Sequence, residues 1–502
     1  MFEQRAKHIR CSEEKPGCAN CAKSRLLCSG YDDAQSDQTL VAVYMDVEQF
    51  RRTFLSTPRP RSLFALSSVV KLGPDEYRAL EFFQTQTLPA VCPIFHSELW
   101  ERALLAAAHS VPAILYLILA TSVYHQTLNS LGVNACRPLD RIELPNTMAL
   151  RYYTAAVRLV RESAAAADPP MQIIKLACIM FTVLEFLRGN RAMTISHLLN
   201  GMNLLEDRRM SRQPDAFESE VESTLARLSL MQSLYGRPRS VLFPALQTVP
   251  VTTADWICTT PFANVQDART AMLHLSSRVF LFVRKVESVQ GSPQTTDILA
   301  EQESLRSQLL QWKNKLEELS GKADARAIGL LRVYHAIALI FLKTVITQYQ
   351  TSFDLYIPVF RSAIETLETI IDGIMLASGG PIVFSLDLAI IPCLFYTAIK
   401  CRHPQLRRKA VSLLSKVPRR EGLWDAREAA LIAEHIIEFE ERHMPEGELD
   451  GCYSIPEEAR VQDVDIRETT ESASLCIVLR WRPYAACKEL EELFVSIKWP
   501  SS

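Results

Sequence analysis

Glycine is scarce. The chain has 16 in 502 residues, about half the ~7% of an average protein, which counts against a turn-rich β fold and favours long helices. Long apolar runs are missing as well. The densest, residues 173–184 and 384–399, are broken by Lys175 and by Asp387 and Pro392. Neither reaches the roughly 18–20 clean apolar residues a spanning helix needs, so no membrane partner is expected. The stretch from Met1 to His8 holds no apolar signal core, which predicts an intracellular chain with reduced cysteines. Catalytic signatures are absent too: there is no Gly-x-Gly-x-x-Gly, Walker-type loop, Gly-x-Ser-x-Gly elbow or His-Glu-x-x-His, and nothing argues for an enzyme. With 48% hydrophobic and 22% charged residues, the chain is also neither disordered nor collagen-like.

What the chain does have is an uneven set of 13 cysteines. Nine are scattered, mostly among apolar neighbours, and read as small core residues. The other four, Cys11, Cys18, Cys21 and Cys28, follow the spacing Cys-x6-Cys-x2-Cys-x6-Cys. A Cys-x2-Cys knuckle supplies two thiolates from one turn, and zinc wants four in a tetrahedron. Pro16-Gly17 provides the reversal that returns Cys11 to the knuckle. Around them Arg5, Lys7, Arg10, Lys15, Lys23 and Arg25 stand against Glu3, Glu13 and Glu14, a net +3 that leaves −5 for the rest of a chain totalling −2. A small basic cysteine module on an acidic body points to nucleic acid. Three other readings compete. Free thiols clustering by chance leave the spacing unexplained. A redox pair lacks a surrounding βαβ pattern. A zinc deaminase would need His96-Ser97-Glu98 to precede a Pro-Cys-x-x-Cys, and here the cysteine pair comes first.

The segment resembles the fungal-type binuclear zinc-cluster transcription factors, whose pattern is Cys-x2-Cys-x6-Cys-x5–12-Cys-x2-Cys-x6–8-Cys around two zinc ions. Cys11, Cys18, Cys21 and Cys28 match its last four cysteines, and Gly30-Tyr31 follows as is typical. Met1 and Gln4 occupy the places of the first two. Four thiolates close at most one tetrahedral site, with His8 as a competing nitrogen ligand. An in-frame Cys-x2-Cys encoded upstream would restore the pair; otherwise the finger binds weakly. The resemblance implies double-stranded DNA with CGG-type half-sites as partner. It places Arg10 on guanine edges and Arg5, Lys7, His8 and Lys23 in the basic DNA-contacting set, with Lys15 and Arg25 equally well read as solvated charges.

Residues 32–70 read as a linker without a sustained heptad pattern, so a homodimer stays open. From 71 to 502 the period is helical. Gly73-Pro74-Asp75 opens a helix with Tyr77, Leu80 and Phe83 on one face; Leu115, Ile118 and Leu119 mark another; Leu150, Tyr153, Val157 and Val160 a third. Further helices are expected over 225–235, 268–283, 327–347, 360–375 and 427–440. A polar loop is expected over 451–468, before a final apolar segment at 475–493. The fold class is therefore mostly α: a zinc-cluster module (1–31), the linker, and a large all-α body. Glu185 reads as a buried paired carboxylate, His197 as a core or groove histidine, and Arg419, Arg420, Glu421 and Asp425 as a salt-bridged turn. Arg407, Arg408, Lys409 and Lys416 read as a solvated helix face, with nuclear import as the sharper alternative. Glu185 to Asn190, His197 to Gly201, Ile390 to Pro392, Cys401 to Pro404 and Pro418 to Asp425 resemble the regulatory region of the same family. That resemblance implies a nuclear regulator of RNA polymerase II genes, of metabolic or secondary-metabolite clusters, working with coregulators. The alternative is an interaction protein that keeps the body and has lost DNA binding.

Overall fold

The computed structural model describes residues 72–131, 147–167, 169–209, 216–233, 261–288, 296–347, 349–378, 383–386, 389–417, 420–442, 455–467, 474–483 and 490–498. The chain divides into two units, Met1–Tyr44 and Met45–Ser502; every described residue belongs to the second, the body. Helix α1 (Pro74–Phe82) starts with proline in its first turn, and Gly73 N–H donates to Glu76 Oε2 at 2.9 Å. It continues through a π turn (Phe83–Thr87) into Leu88–Val91. Six helices follow: α2 (Leu104–Ser110), α3 (Pro112–Leu131), α4 (Thr147–Ala164), α5 (Met171–Arg188), α6 (Arg191–Arg209) and α7 (Ala216–Ser233). Helices α3, α4, α6 and α7 pack against α5, which is buried along almost its whole length, and α2 packs on α3. Gly189 ends α5 at φ +72°, a conformation glycine adopts freely. Gly201 lets α6 approach α7: a Cβ there would come within 3.1 Å of Leu225 Cδ2.

A second core forms from α8 (Val265–Ser288), α9 (Thr296–Glu318), α10 (Ala325–Thr344), α11 (Ile357–Ser378), α12 (Ile390–Lys400), α13 (Pro404–Leu414) and α14 (Ala426–Glu441). Among the described residues α10 alone is long and apolar enough to cross a membrane. Its residues Leu330, Leu331, Ile340 and Leu342 are buried in this core, as the central helix of a globular body would be. The two cores meet at a small sheet. Strand β1 (Phe384–Ser385) runs parallel to β2 (Arg420–Glu421), which pairs antiparallel with β3 (Trp424–Asp425). Val383, Phe384, Leu386 and Leu423 belong to the first core, Trp424 and Ala426 to the second.

The mostly helical expectation holds, with 77% of the described residues in helices. The loop expected over 451–468 does not. Val461–Arg467 is a strand, β4, which pairs antiparallel with β5 (Ser474–Trp481), itself paired with β6 (Glu491–Lys498). Val464 and Ile466 alternate in sequence with Asp463, Asp465 and Arg467, the period-two pattern of a strand, although Asp465 is buried as well. The body therefore carries a three-stranded sheet at its C-terminal end. A second correction concerns α4. The buried residues are Ala149, Tyr152 and Ala156, while Leu150 is exposed; Tyr153, Val157 and Val160 flank the core half-buried. Small alanines let the helix pack closely, so the large residues sit at the rim.

Among the described non-glycine residues only Ala389 has a positive φ, +46°, just before α12. A Cβ in that region costs energy that glycine avoids. Ala389→Gly should stabilise the body by about 0.5–1 kcal/mol, read as a rise in denaturation midpoint with no change in far-UV circular dichroism.

Candidate functional site

The residues that sequence analysis assigns to zinc (Cys11, Cys18, Cys21, Cys28) and to DNA (Arg5, Lys7, His8, Arg10, Lys23) lie outside the described residues, as do Arg419 and the linker. Their chemistry still tests the metal. Four thiolates are the donor set of a closed tetrahedral zinc site. Within the body, no group of three or more histidine, cysteine, aspartate or glutamate side chains among the described residues could hold a metal ion.

The body's own polar groups are used to hold its parts together. Arg420, a β2 residue buried to 2%, donates from Nη1 to the Phe186 carbonyl at 2.8 Å, across to the end of α5. Glu421 Oε2 accepts from Ile391 N–H at 2.9 Å, at the start of α12. Trp424 Nε1 donates to the Met231 carbonyl at 3.1 Å. Asp425 caps α14, accepting from Arg427 N–H at 3.0 Å and Glu428 N–H at 3.1 Å. Arg191 of α6 pairs with Glu428 at 3.0 Å. The turn read from sequence as salt-bridged thus joins the two cores: each of these four side chains reaches a different element.

In the basic run Arg408, Lys409 and Lys416 are exposed, as a solvated face requires, and only Arg407 needs correction. Arg407 is fully buried, not solvated. Its Nη2 donates to Glu440 Oε2 at 2.6 Å, and Arg402 Nη2 donates to Glu440 Oε1 at 2.9 Å. Glu440 Oε1 also accepts from Val461 N–H at 2.8 Å, which fastens β4 to the helices. Arg408 reaches Glu441 and Lys409 reaches Glu368. Burial pushes the Glu440 carboxyl up, but Arg402 and Arg407 outweigh it and hold the group at about 2. Nearby, Arg460 makes a two-pronged contact with Asp354, both bonds 2.8 Å, and Glu457 accepts from Gln350 and Thr351 N–H at 2.6 and 2.8 Å. None of these pairs was foreseen. Arg402 falls in a motif quoted for the resemblance, whereas Glu440 carries no local signal.

Two single-residue expectations are met, and the one for the scattered cysteines is met in part, since Cys92, Cys178 and Cys476 are only half-buried. Glu185 is fully buried and accepts from Arg188 at 2.8 Å. His197 is half-buried and stacks on Phe181 with ring centres 5.1 Å apart; burial lowers its pKa. Cys393 and Cys401 are buried, as small core residues should be.

The architecture is that of a helical body following, in sequence, a cysteine-rich basic module, the order of a recognition module and its regulatory domain. Residues 78–436 match the fungal specific transcription factor domain, and residues 5–38 match the fungal Zn(2)-Cys(6) binuclear cluster domain. The chain belongs to the fungal specific transcription factor family; it is a transcription regulator and not an enzyme, and its cofactor is zinc held by cysteines. It is 22% identical over 91% of its length to the aspercryptin biosynthesis cluster-specific transcription regulator atnN of Emericella nidulans, covering 90% of that protein. It is also 22% identical over 68% of its length to the transcription regulator lscL of Purpureocillium lilacinum, covering 86% of that protein. No solved structure matches.

Two predictions follow from the buried charges. Glu440→Gln leaves two buried guanidinium groups short of their counter-charge and should cost about 3–5 kcal/mol at neutral pH, measured by denaturant unfolding. Acid should destabilise the body in two stages. Burial holds His125 and His335 at about 4, below the ordinary 6.5. The unfolded chain therefore binds protons that the folded one refuses, and stability falls as pH drops from 6.5 to 4. Glu440 is depressed from 4.5 to about 2; the stability it supplies is present above 4.5 and is lost as pH falls to 2. Unfolding free energy plotted against pH should show both slopes. His335→Phe, which keeps the stacking on Trp312, should flatten the first.

Proposed function

We propose that the chain is a nuclear, sequence-specific regulator of RNA polymerase II genes whose DNA contact depends on zinc at its amino-terminal cysteines. The observation that carries this is the four-cysteine, net-basic module in front of a helical regulatory body, matched to both domains of one family. In this reading residues 1–31 form the DNA-binding module, 32–70 the linker and 71–502 the regulatory domain. Cys11, Cys18, Cys21 and Cys28 hold one zinc ion, which supplies the folding energy that so short a segment cannot draw from a core. Arg10 reads guanine edges in CGG-type half-sites, Arg5, Lys7 and Lys23 neutralise phosphates, and His8 belongs to the same DNA-contacting set. Control of a biosynthetic gene cluster is supported by the likeness to the cluster-specific regulator of Emericella nidulans.

The long match of residues 78–436 to the regulatory domain supports a second reading: an interaction protein whose body persists without autonomous DNA binding. The two readings separate in one series of measurements. The first expects about one zinc per chain and a gel shift selective for CGG-containing duplexes that weakens steeply with salt. The double substitution Cys18→Ser with Cys21→Ser should abolish both metal and shift while leaving the helical circular dichroism intact. Selective binding that survives loss of those thiols would contradict zinc-dependent recognition. Zinc-loaded protein that gives no selective shift would favour the interaction protein.

A further inference from the structure

We propose that the outer edge of β6 is a dimer interface, on which a second copy of this chain lays its own β6 antiparallel, centred on Val495. Among the described residues the sheet order is β4-β5-β6, with no strand beyond β6. An open edge presents a row of backbone N–H and C=O groups to any strand that can match it. The edge is also apolar: Leu493 is 36% exposed and Phe494 58%. The neighbours of β6 on β5 show that its core side is unfinished. Leu479, Ile477 and Leu475, paired with Leu493, Val495 and Ile497, are buried to 1%, 0% and 4%. Leu493 and Val495 are less covered than the residues they pair with.

The side chains of β6 select both the occupant and its register. Opposed residues in an antiparallel sheet point to the same face, so a two-fold axis normal to the sheet must pass through a residue. With the axis at Val495, Leu493 meets Ile497 of the second copy on the core side, and Val495 meets its own equivalent. On the outer side Glu492 meets Lys498 of the second copy, twice by symmetry. Arg480 already occupies Glu492 Oε1 at 2.7 Å, and Oε2 is left for the lysine. Moving the axis to Phe494 sets Glu491 against Ile497 and leaves Lys498 opposite no residue of the strand. Moving it to Ser496 sets Phe494 against Lys498. Only the Val495 register joins apolar to apolar on one face and opposite charges on the other. A second copy is therefore the occupant whose chemistry is written in the strand itself, and the inference is independent of zinc.

Sedimentation velocity on the full chain should show a reversible monomer–dimer equilibrium. Leu493→Lys and Lys498→Glu should each weaken it by about tenfold, since each change acts twice across the axis. Both positions are solvent-accessible, so the melting temperature should hold. A short bis-maleimide should link Val495→Cys across the axis and leave the off-axis Glu491→Cys unlinked, with peptide mapping separating these products from the 13 native cysteines. A chain that stays monomeric at every concentration, a dimer that neither charge variant weakens, or equal linking at 491 and 495 would each overturn the proposal.

Discussion

A carboxylate with no access to water sits between two guanidinium groups, and the C-terminal half of the body is organised around it. Glu440 receives Arg402 from the turn after α12, Arg407 from α13 and the backbone N–H of Val461 from the start of β4. Taking three charges out of water is expensive, and the attraction between them repays it only where geometry is good and no lone pair is wasted. Here Oε1 accepts two bonds and Oε2 a third. The result is specificity of arrangement more than bulk stability: apolar packing alone would let α13, α14 and the sheet slide, whereas a forked charge pair fixes one docking. Arg460 and Asp354 repeat the device where the sheet meets the 3₁₀ turn before α11.

A comparable solution joins the two cores. The segment from Arg420 to Asp425 is short, and its residues alternate between partners: a carbonyl at the end of α5, the first turn of α12, a carbonyl of α7 and the N-terminus of α14. Each bond engages a backbone group at a helix end, where intrahelical partners run out. The seam is therefore cheap to bury although it is polar. It also couples the cores mechanically, because displacing one would strand buried donors and acceptors in the other.

The helices were legible because their signal is local. Apolar spacing at three and four residues, Pro74 and Pro404 in first turns, and Gly189 after α5 belong to single segments. What stayed hidden depends on partners far along the chain. Arg407 looks like one more cation in a basic run until Glu440, 33 residues away, is brought beside it. The strand β4 alternates correctly, but Pro456 and the charges around it read as a loop until β5 supplies the other half of the ladder. The α4 face was misplaced because alanines carry little hydrophobic signal, yet they let helices approach closely. For the zinc module the position is reversed: its chemistry is legible at four cysteines, without any fold to consult.

That contrast bears on how such a chain can be regulated. The basic module holds +3 and the remainder −5, so attraction to phosphate is confined to one end, and the body as a whole is repelled by the same polyanion. A body that does not grip DNA directly can influence occupancy through the number of modules it brings to a site. Two modules on one scaffold turn the second contact into an intramolecular event, and the gain depends on spacing, not on any new contact. The smaller the affinity of a single module, the more that gain matters. Recognition at the amino terminus and self-association at the carboxyl terminus would then be complementary parts of one design.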